Sequence, residues 1–288
     1  MTSGTPLLVV DLFKDKNVYE GNGRYVEGAY AIGDILEKQG YNLEIMMGSE
    51  GNFGGRTPYF NTHGSYKIFD LDYAINKGYM SNSERVWWGF EDDKLFAWSK
   101  EEITNLAKQD KPFNYIMITA DTHFTDGYLS SKAEKNFQTQ YENVHAYSSK
   151  SIYEFVQWIQ EQDFYQNTTV VILGDHLGMQ TQFYEEHLDS NYERTIYNVF
   201  INSAIEEQNS KNRIFTTMDM YPTILASIGA KIEGEKIGLG TNLFSGEKTL
   251  SERLGHEYLN QELNKKSNFY NKNILGDDYT IMVESEKN

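Results

Sequence analysis

Strand-length apolar runs that alternate with helix-length amphipathic stretches restrict this chain to a small set of folds. Phe113–Ala120 (FNYIMITA) and Thr168–Leu173 (TTVVIL) are apolar along most of their length rather than at every second residue. Runs of this kind mark strands covered on both faces, which occur chiefly in parallel sheets flanked by helices. Around them the period changes. Val26–Lys38 has apolar residues at helical spacing and then meets Gly40, a helix stop. Ser148–Gln162 places Ile152, Phe155, Val156 and Ile159 on one stripe. Asn42–Met47 and Thr195–Ile201 read as strands, and Pro6–Val10 is a short apolar run. Thr217–Ile228 reads as a helix whose Pro222 has to lie near its start or at a kink. The expected fold class is α/β, with a mostly parallel central sheet and helices on both faces. Asn260–Asn288 is polar and weakly periodic, and reads as a tail or a small terminal β element.

Charge and composition narrow the function. The 288 residues include 42 acidic and 26 basic ones, a formal charge of −16. A phosphate backbone needs a basic footprint, so a nucleic-acid partner is excluded. The absence of cysteine removes disulfides, thiolate nucleophiles and Cys-ligated zinc. No apolar run approaches the roughly 18 residues of a membrane-crossing helix. An acidic chain can still hold an anionic substrate, through a local Arg, His or metal ion.

In parallel α/β sheets ligands bind where strands end at their carboxyl side. Asp121-Thr122-His123 follows the first long apolar run, and Gly174-Asp175-His176 follows the second. Asp175 and His176 form a mixed oxygen and nitrogen donor pair suited to Mn²⁺, Mg²⁺ or Zn²⁺; the bland alternative is a turn cap beside a hydrogen-bonded imidazole. His123 can bind a phosphate or protonate a leaving oxygen, or simply sit on a polar turn. Arg56 closes a glycine-rich stretch, Gly51–Arg56, that suits phosphate contact, although a solvated surface Arg fits equally. His187 lies within reach of the same strand end, or on the surface. His63, His145 and His256 read as structural. Trp87, Trp88 and Trp98 read as core, with a sugar-stacking wall as the other use of such residues.

Several segments, in order, carry a family resemblance. They are Gly48–Gly64 (GSEGNFGGRTPYFNTHG) with Tyr66–Asp70, Thr119–Gly127 (TADTHFTDG), Tyr153–His176, Thr217–Gly229 and Gly238–Ser245. Together they resemble the catalytic domain of the lipoteichoic acid synthase and phosphoglycerol transferase family, within the sulfatase and alkaline phosphatase superfamily. The resemblance implies a sulfatase-like catalytic domain over residues 1–259. It implies a transferase that moves a phosphoglycerol group from a membrane phospholipid to an envelope glycan or teichoic-acid-type acceptor, on the outer face of the membrane. It also implies a divalent metal, commonly manganese, with Asp175 and His176 among its ligands. Arg56, His123 and, less directly, His187 match substrate-binding positions. The family's nucleophile is a threonine, and the match of Met1–Leu8 to the family places it upstream of Met1. Thr2, Ser3 and Thr5 stand at the wrong spacing to replace it. The expected consequences are a first sheet strand lying outside the sequence, a chain nearly inactive alone, and a sheet edge open to self-association. The competing readings are a phosphoethanolamine transferase, a sulfatase or phosphatase of the same superfamily, and a non-catalytic glycan-binding module. A sulfatase nucleophile motif is missing from these residues.

Overall fold

The computed structural model describes residues 1–6, 25–206 and 211–276. Along the chain run α1 (Ile32–Lys38), β1 (Asn42–Met47), α2 (Arg56–Thr62), β2 (Lys67–Phe69), α3 (Leu71–Asn76), α4 (Asp92–Ala107) and β3 (Phe113–Ile118). Then come α5 (Gln140–Gln160), β4 (Val170–Leu173), α6 (Thr181–His187), β5 (Asn198–Ile201), α7 (Met220–Ser227), β6 (Lys236–Ile237), β7 (Gly240–Thr241), α8 (Leu250–Leu254) and α9 (His256–Leu263). The described residues fall into two units, one holding 44–51 and 67–201, the other the remainder.

The 44–51/67–201 unit carries the sheet. Its strand order is β2-β1-β3, with Ile45 beside Ile68 and Met46 beside Phe69 in parallel register. β4 and β5 form a separate pair and run antiparallel, Val170 opposite Ile201. The fold class is α/β with a parallel three-stranded sheet, as the alternating pattern requires. One expectation changes. β3 and β4 are half-buried rather than covered on both faces. Among the described residues β3 pairs with β1, and β4 pairs with β5.

Among the described residues, two hydrophobic clusters lie in this unit. Met46, Phe69, Leu71, Phe90 and Leu95 form one, with Trp98 packed against it. Phe96, Ile103, Phe155 and Ile159 form the other, with Phe113, Tyr115 and Val170 at its rim. Helix α4 serves both, Leu95 facing the first and Phe96 and Ile103 the second. Each fully buried side chain of this size contributes roughly 1.5–3 kcal/mol. The helix also buries polar atoms, which are satisfied. The Tyr115 hydroxyl donates to Ser99 Oγ at 2.9 Å, and Lys67 Nζ donates to Glu102 Oε2 at 2.7 Å.

In the other unit the expected helix over Val26–Lys38 is confined to Ile32–Lys38. Val26 has φ of 54°, and Ala31 is extended, its N–H held by Asp34 Oδ2 at 2.7 Å. Tyr25, Val26 and Ala29 bury themselves in a turn with Leu275 instead. Pro222 falls in the first turn of α7, where its missing N–H costs nothing. Arg213 grips Glu252 with two hydrogen bonds, at 2.7 and 2.9 Å, which hold that carboxyl down at about 2. Past residue 260 the described chain is α9 and a wide turn at Tyr270–Leu275. Of the Pro6–Val10 run, residues 7–10 lie outside the described residues.

Candidate active site

The loops that follow β3 and β4 come together, and two of the expected histidines meet there. The His123 and His176 rings lie 6.4 Å apart, centre to centre, at 88°. A carbonyl oxygen can only accept a hydrogen bond, so Nδ1 of each ring is the protonated nitrogen. His123 Nδ1 donates to Phe124 O at 2.7 Å, and His176 Nδ1 donates to Leu177 O at 2.8 Å. Both Nε2 atoms keep their lone pairs for a proton or a ligand. Asp175 Oδ2 stands 3.4 Å from His176 Nε2, and its Oδ1 accepts the His176 backbone N–H at 2.9 Å.

The two loops are clamped by a pair of reciprocal hydrogen bonds. The Asp126 N–H donates to Gln180 Oε1 at 2.8 Å, and Gln180 Nε2 donates to Asp126 Oδ1 at 2.6 Å. Below them, the Tyr141 hydroxyl donates to Thr122 O at 3.0 Å. Arg194 donates to Gly178 O at 3.0 Å and stacks over Tyr184. A side chain at 178 would meet the Tyr184 hydroxyl at 1.9 Å, so Tyr184 would have to shift to admit one. Gln180, Tyr141 and Arg194 are the residues that sequence reading passed over. Each acts across a long stretch of chain, which no local spacing reveals.

His187 sits at the end of α6 with its ring stacked on Phe183, centres 4.2 Å apart. Its Nδ1 donates to Phe183 O at 2.7 Å, and its Nε2 lies 4.0 Å from Glu142 Oε1. Phe183 in turn packs on Tyr141. Arg56 belongs to the other unit, where its Nε donates to Phe53 O at 3.0 Å. His63 is buried, tied to Asp34 Oδ2 and Tyr25 O at 3.0 Å each, a packing role.

Trp98 lies in the core, but Trp87 and Trp88 correct the expectation set for them. They are 36% and 38% exposed, and Trp88 packs against His123 with ring centres 4.1 Å apart, tilted by 58°. The reason is their place in a tight turn, which lifts both rings off the core.

Asp175 and His176 offer two donors, fewer than the four to six a divalent ion takes. Among the described residues no group of three or more His, Asp or Glu converges to hold one. The described residues therefore do not complete a metal site. Among them, too, no helix is long and apolar enough to cross a membrane.

Comparison with known proteins places this geometry in a family. The chain is 26% identical over 242 residues to phosphoglycerol transferase I of Xanthomonas campestris pv. campestris (strain B100), covering 81% of this chain and 33% of that protein. It is 27% identical over 247 residues to phosphoglycerol transferase I of Citrobacter koseri, covering 81% and 31%. The chain thus spans about a third of the length of these relatives. Two solved structures share the fold. The lipoteichoic acid synthase LtaP of Listeria monocytogenes superposes with a TM-score of 0.63 at 16% identity, over 79% of this chain and 59% of that one. An alkaline phosphatase superfamily protein of Vibrio parahaemolyticus superposes at 0.54 and 22%, over 79% and 53%. The sulfatase family model matches residues 23–230, most of the chain, and the protein belongs to that family.

Proposed function

We propose that the chain carries the catalytic histidine pair of a transferase that moves a phosphoglycerol group from a membrane phospholipid to an envelope glycan or polymer. One observation carries this reading: His123 and His176 come from two strand ends with ring centres 6.4 Å apart, each Nδ1 engaged by a backbone carbonyl so that Nε2 is the nitrogen left to carry a proton or a ligand. The relatives named phosphoglycerol transferase I supply the group transferred. In each of two steps one P–O bond forms as another breaks. A threonine alkoxide takes the group from the lipid, and an acceptor hydroxyl takes it from the threonine, which leaves as the alkoxide again. His123, protonated, gives its Nε2 proton to the departing diacylglycerol oxygen. Now neutral, it receives the proton of the acceptor hydroxyl, which restores the starting state.

Asp175 and His176 are proposed as two ligands of a divalent ion, manganese in this reading, whose remaining ligands lie beyond the described residues. Such an ion would polarise a phosphoryl oxygen. His187 is proposed to bind the phosphoglycerol group, and Arg56, in its own unit, is proposed as a phosphate-binding residue. The reaction belongs at the outer membrane face, where lipid and glycan meet.

The test is release of diacylglycerol from phosphatidylglycerol vesicles by the enzyme that carries the threonine. His123→Ala should lower kcat by about 10²–10⁴, the range for loss of a general acid-base group. Asp175→Ala should abolish the response to added Mn²⁺. Full turnover in His123→Ala would overturn the role given to that residue.

A further inference from the structure

Outside the histidine pair, the most unusual feature of this unit is where its exposed tryptophans stand. Val86 and Gly89 exchange both backbone hydrogen bonds at 2.8 Å, closing a two-residue turn whose tip is Trp87-Trp88. Trp87 has φ of 51°, a left-handed conformation that such turns normally give to glycine. A bulky side chain there is unfavourable, and strain of that kind collects at functional positions. The turn is seated firmly. Phe90 N–H donates to Gly48 O at 2.8 Å, and a side chain at 89 would meet Gly48 O at 1.9 Å. It therefore sits directly beyond the carboxyl end of β1, the edge of the sheet where ligands bind.

The two indoles are nearly parallel, at 7° with centres 5.9 Å apart. Trp88 leans on His123 at 58°, and the exposed Phe124 packs against His123, ring centres 4.9 Å apart. An apolar shelf of rings thus runs from solvent to the ring assigned the acceptor's proton. The charge around it selects the ligand. The charges beside the turn are paired: Arg85 with Glu50 at 3.0 Å, Lys94 with Glu91 at 3.5 Å and Lys132 with Asp93 at 3.7 Å. An anionic headgroup or phosphate chain finds these cations already engaged by carboxylates. A neutral sugar ring, whose C–H face stacks on indole while its hydroxyls stay wet, meets no such penalty.

We propose that Trp87 and Trp88 form an acceptor subsite that binds a neutral sugar ring and delivers its hydroxyl to His123. The delivery rests on the transferase reading; the binding does not.

The experiment is an equilibrium titration of tryptophan fluorescence with a neutral β-linked gluco-oligosaccharide. Trp98 and Trp158 are packed into the hydrophobic clusters, so the exposed pair should report the ligand. A saturable change is expected, with Kd raised about tenfold or more in Trp87→Asn and in Trp88→Ala. Asparagine accepts the left-handed backbone, so Trp87→Asn should keep or raise Tm while it loses binding. Binding should survive His176→Ala, which separates it from catalysis. In the transfer assay, Trp88→Ala should raise KM for the sugar acceptor more than it lowers kcat. No saturable change, an unchanged Kd in both variants, or a response to phosphatidylcholine vesicles alone would overturn the subsite. Sugar binding without any phosphoglycerol transfer would leave the subsite standing and sink the transferase reading instead.

Discussion

Asp121 and Asp92 show how a few atoms hold the His123 loop. Asp92 Oδ1 accepts the Ala120 N–H at 2.9 Å, and its Oδ2 accepts the Asp121 N–H at 3.2 Å. Asp121 Oδ2 accepts the Asp92 N–H at 3.1 Å, so the start of α4 and the end of β3 are tied reciprocally. Burial pushes both carboxyls up. The Asp92 charge pushes Asp121 further, while the two backbone N–H bonds partly offset the rise at Asp92. Asp121 Oδ1 is buried without a hydrogen-bond partner, so less supports the charged form at Asp121 than at Asp92. A carboxyl with a raised folded pKa adds stability below its unfolded value, near about 4. That stability is lost as pH rises through the raised value. Asp121→Asn keeps the acceptor for the Asp92 N–H and removes the titration. Its Tm should equal that of the parent near pH 4 and exceed it at pH 8. Parallel Tm–pH profiles for the two proteins would refute this account.

Helix α5 carries the next prediction, and it also shows what the sequence conceals. Thr139 Oγ1 accepts the Glu142 N–H at 3.2 Å, and Glu142 Oε2 accepts the Thr139 N–H at 2.9 Å. This capping box starts the helix eight residues before its apolar stripe becomes regular at Ser148 (148 − 140 = 8). Thr139→Ala should cost about 1 kcal/mol. That lowers Tm by about 2–4 °C for a chain of this size, measured by thermal melt. The first turns escaped the apolar pattern because they bury Asn143 for hydrogen bonds, its side chain pairing with both Phe137 N–H and O at 2.9 Å. Helix α4 is obscured in the same way: its buried stripe includes Ser99 and Glu102. The strand Asn42–Met47 was legible to the residue because nothing polar but Glu44 interrupts it. Asp175 and His176 could be placed at a strand end from sequence because they are contiguous with β4. The Gln180–Asp126 clamp and the Trp88–His123 contact join distant segments, and periodicity carries no record of those.

At the scale of the whole molecule, the charge of −16 acts on everything the chain does. Locally it is offset where cations are placed with care, as where Lys67 bridges Glu44 and Glu102 at 3.2 and 2.7 Å. Most of the remaining excess is solvated and repels itself, which opposes the folded state. Raising ionic strength from about 0.01 M to 0.1 M shortens the screening length from about 30 Å to 10 Å. Long-range repulsion then fades, while contact pairs such as Arg213–Glu252, with Arg213 5% exposed, change little. Tm should therefore rise with salt over this range. The same repulsion acts between the chain and an anionic vesicle, so cosedimentation with phosphatidylglycerol vesicles should rise with salt in parallel. A Tm that falls as salt is added would mean that surface ion pairs outweigh the net charge. Vesicle binding that falls with it would point to a cationic contact face, and the neutral character assigned to the Trp87-Trp88 shelf would then need an anionic ligand in its place.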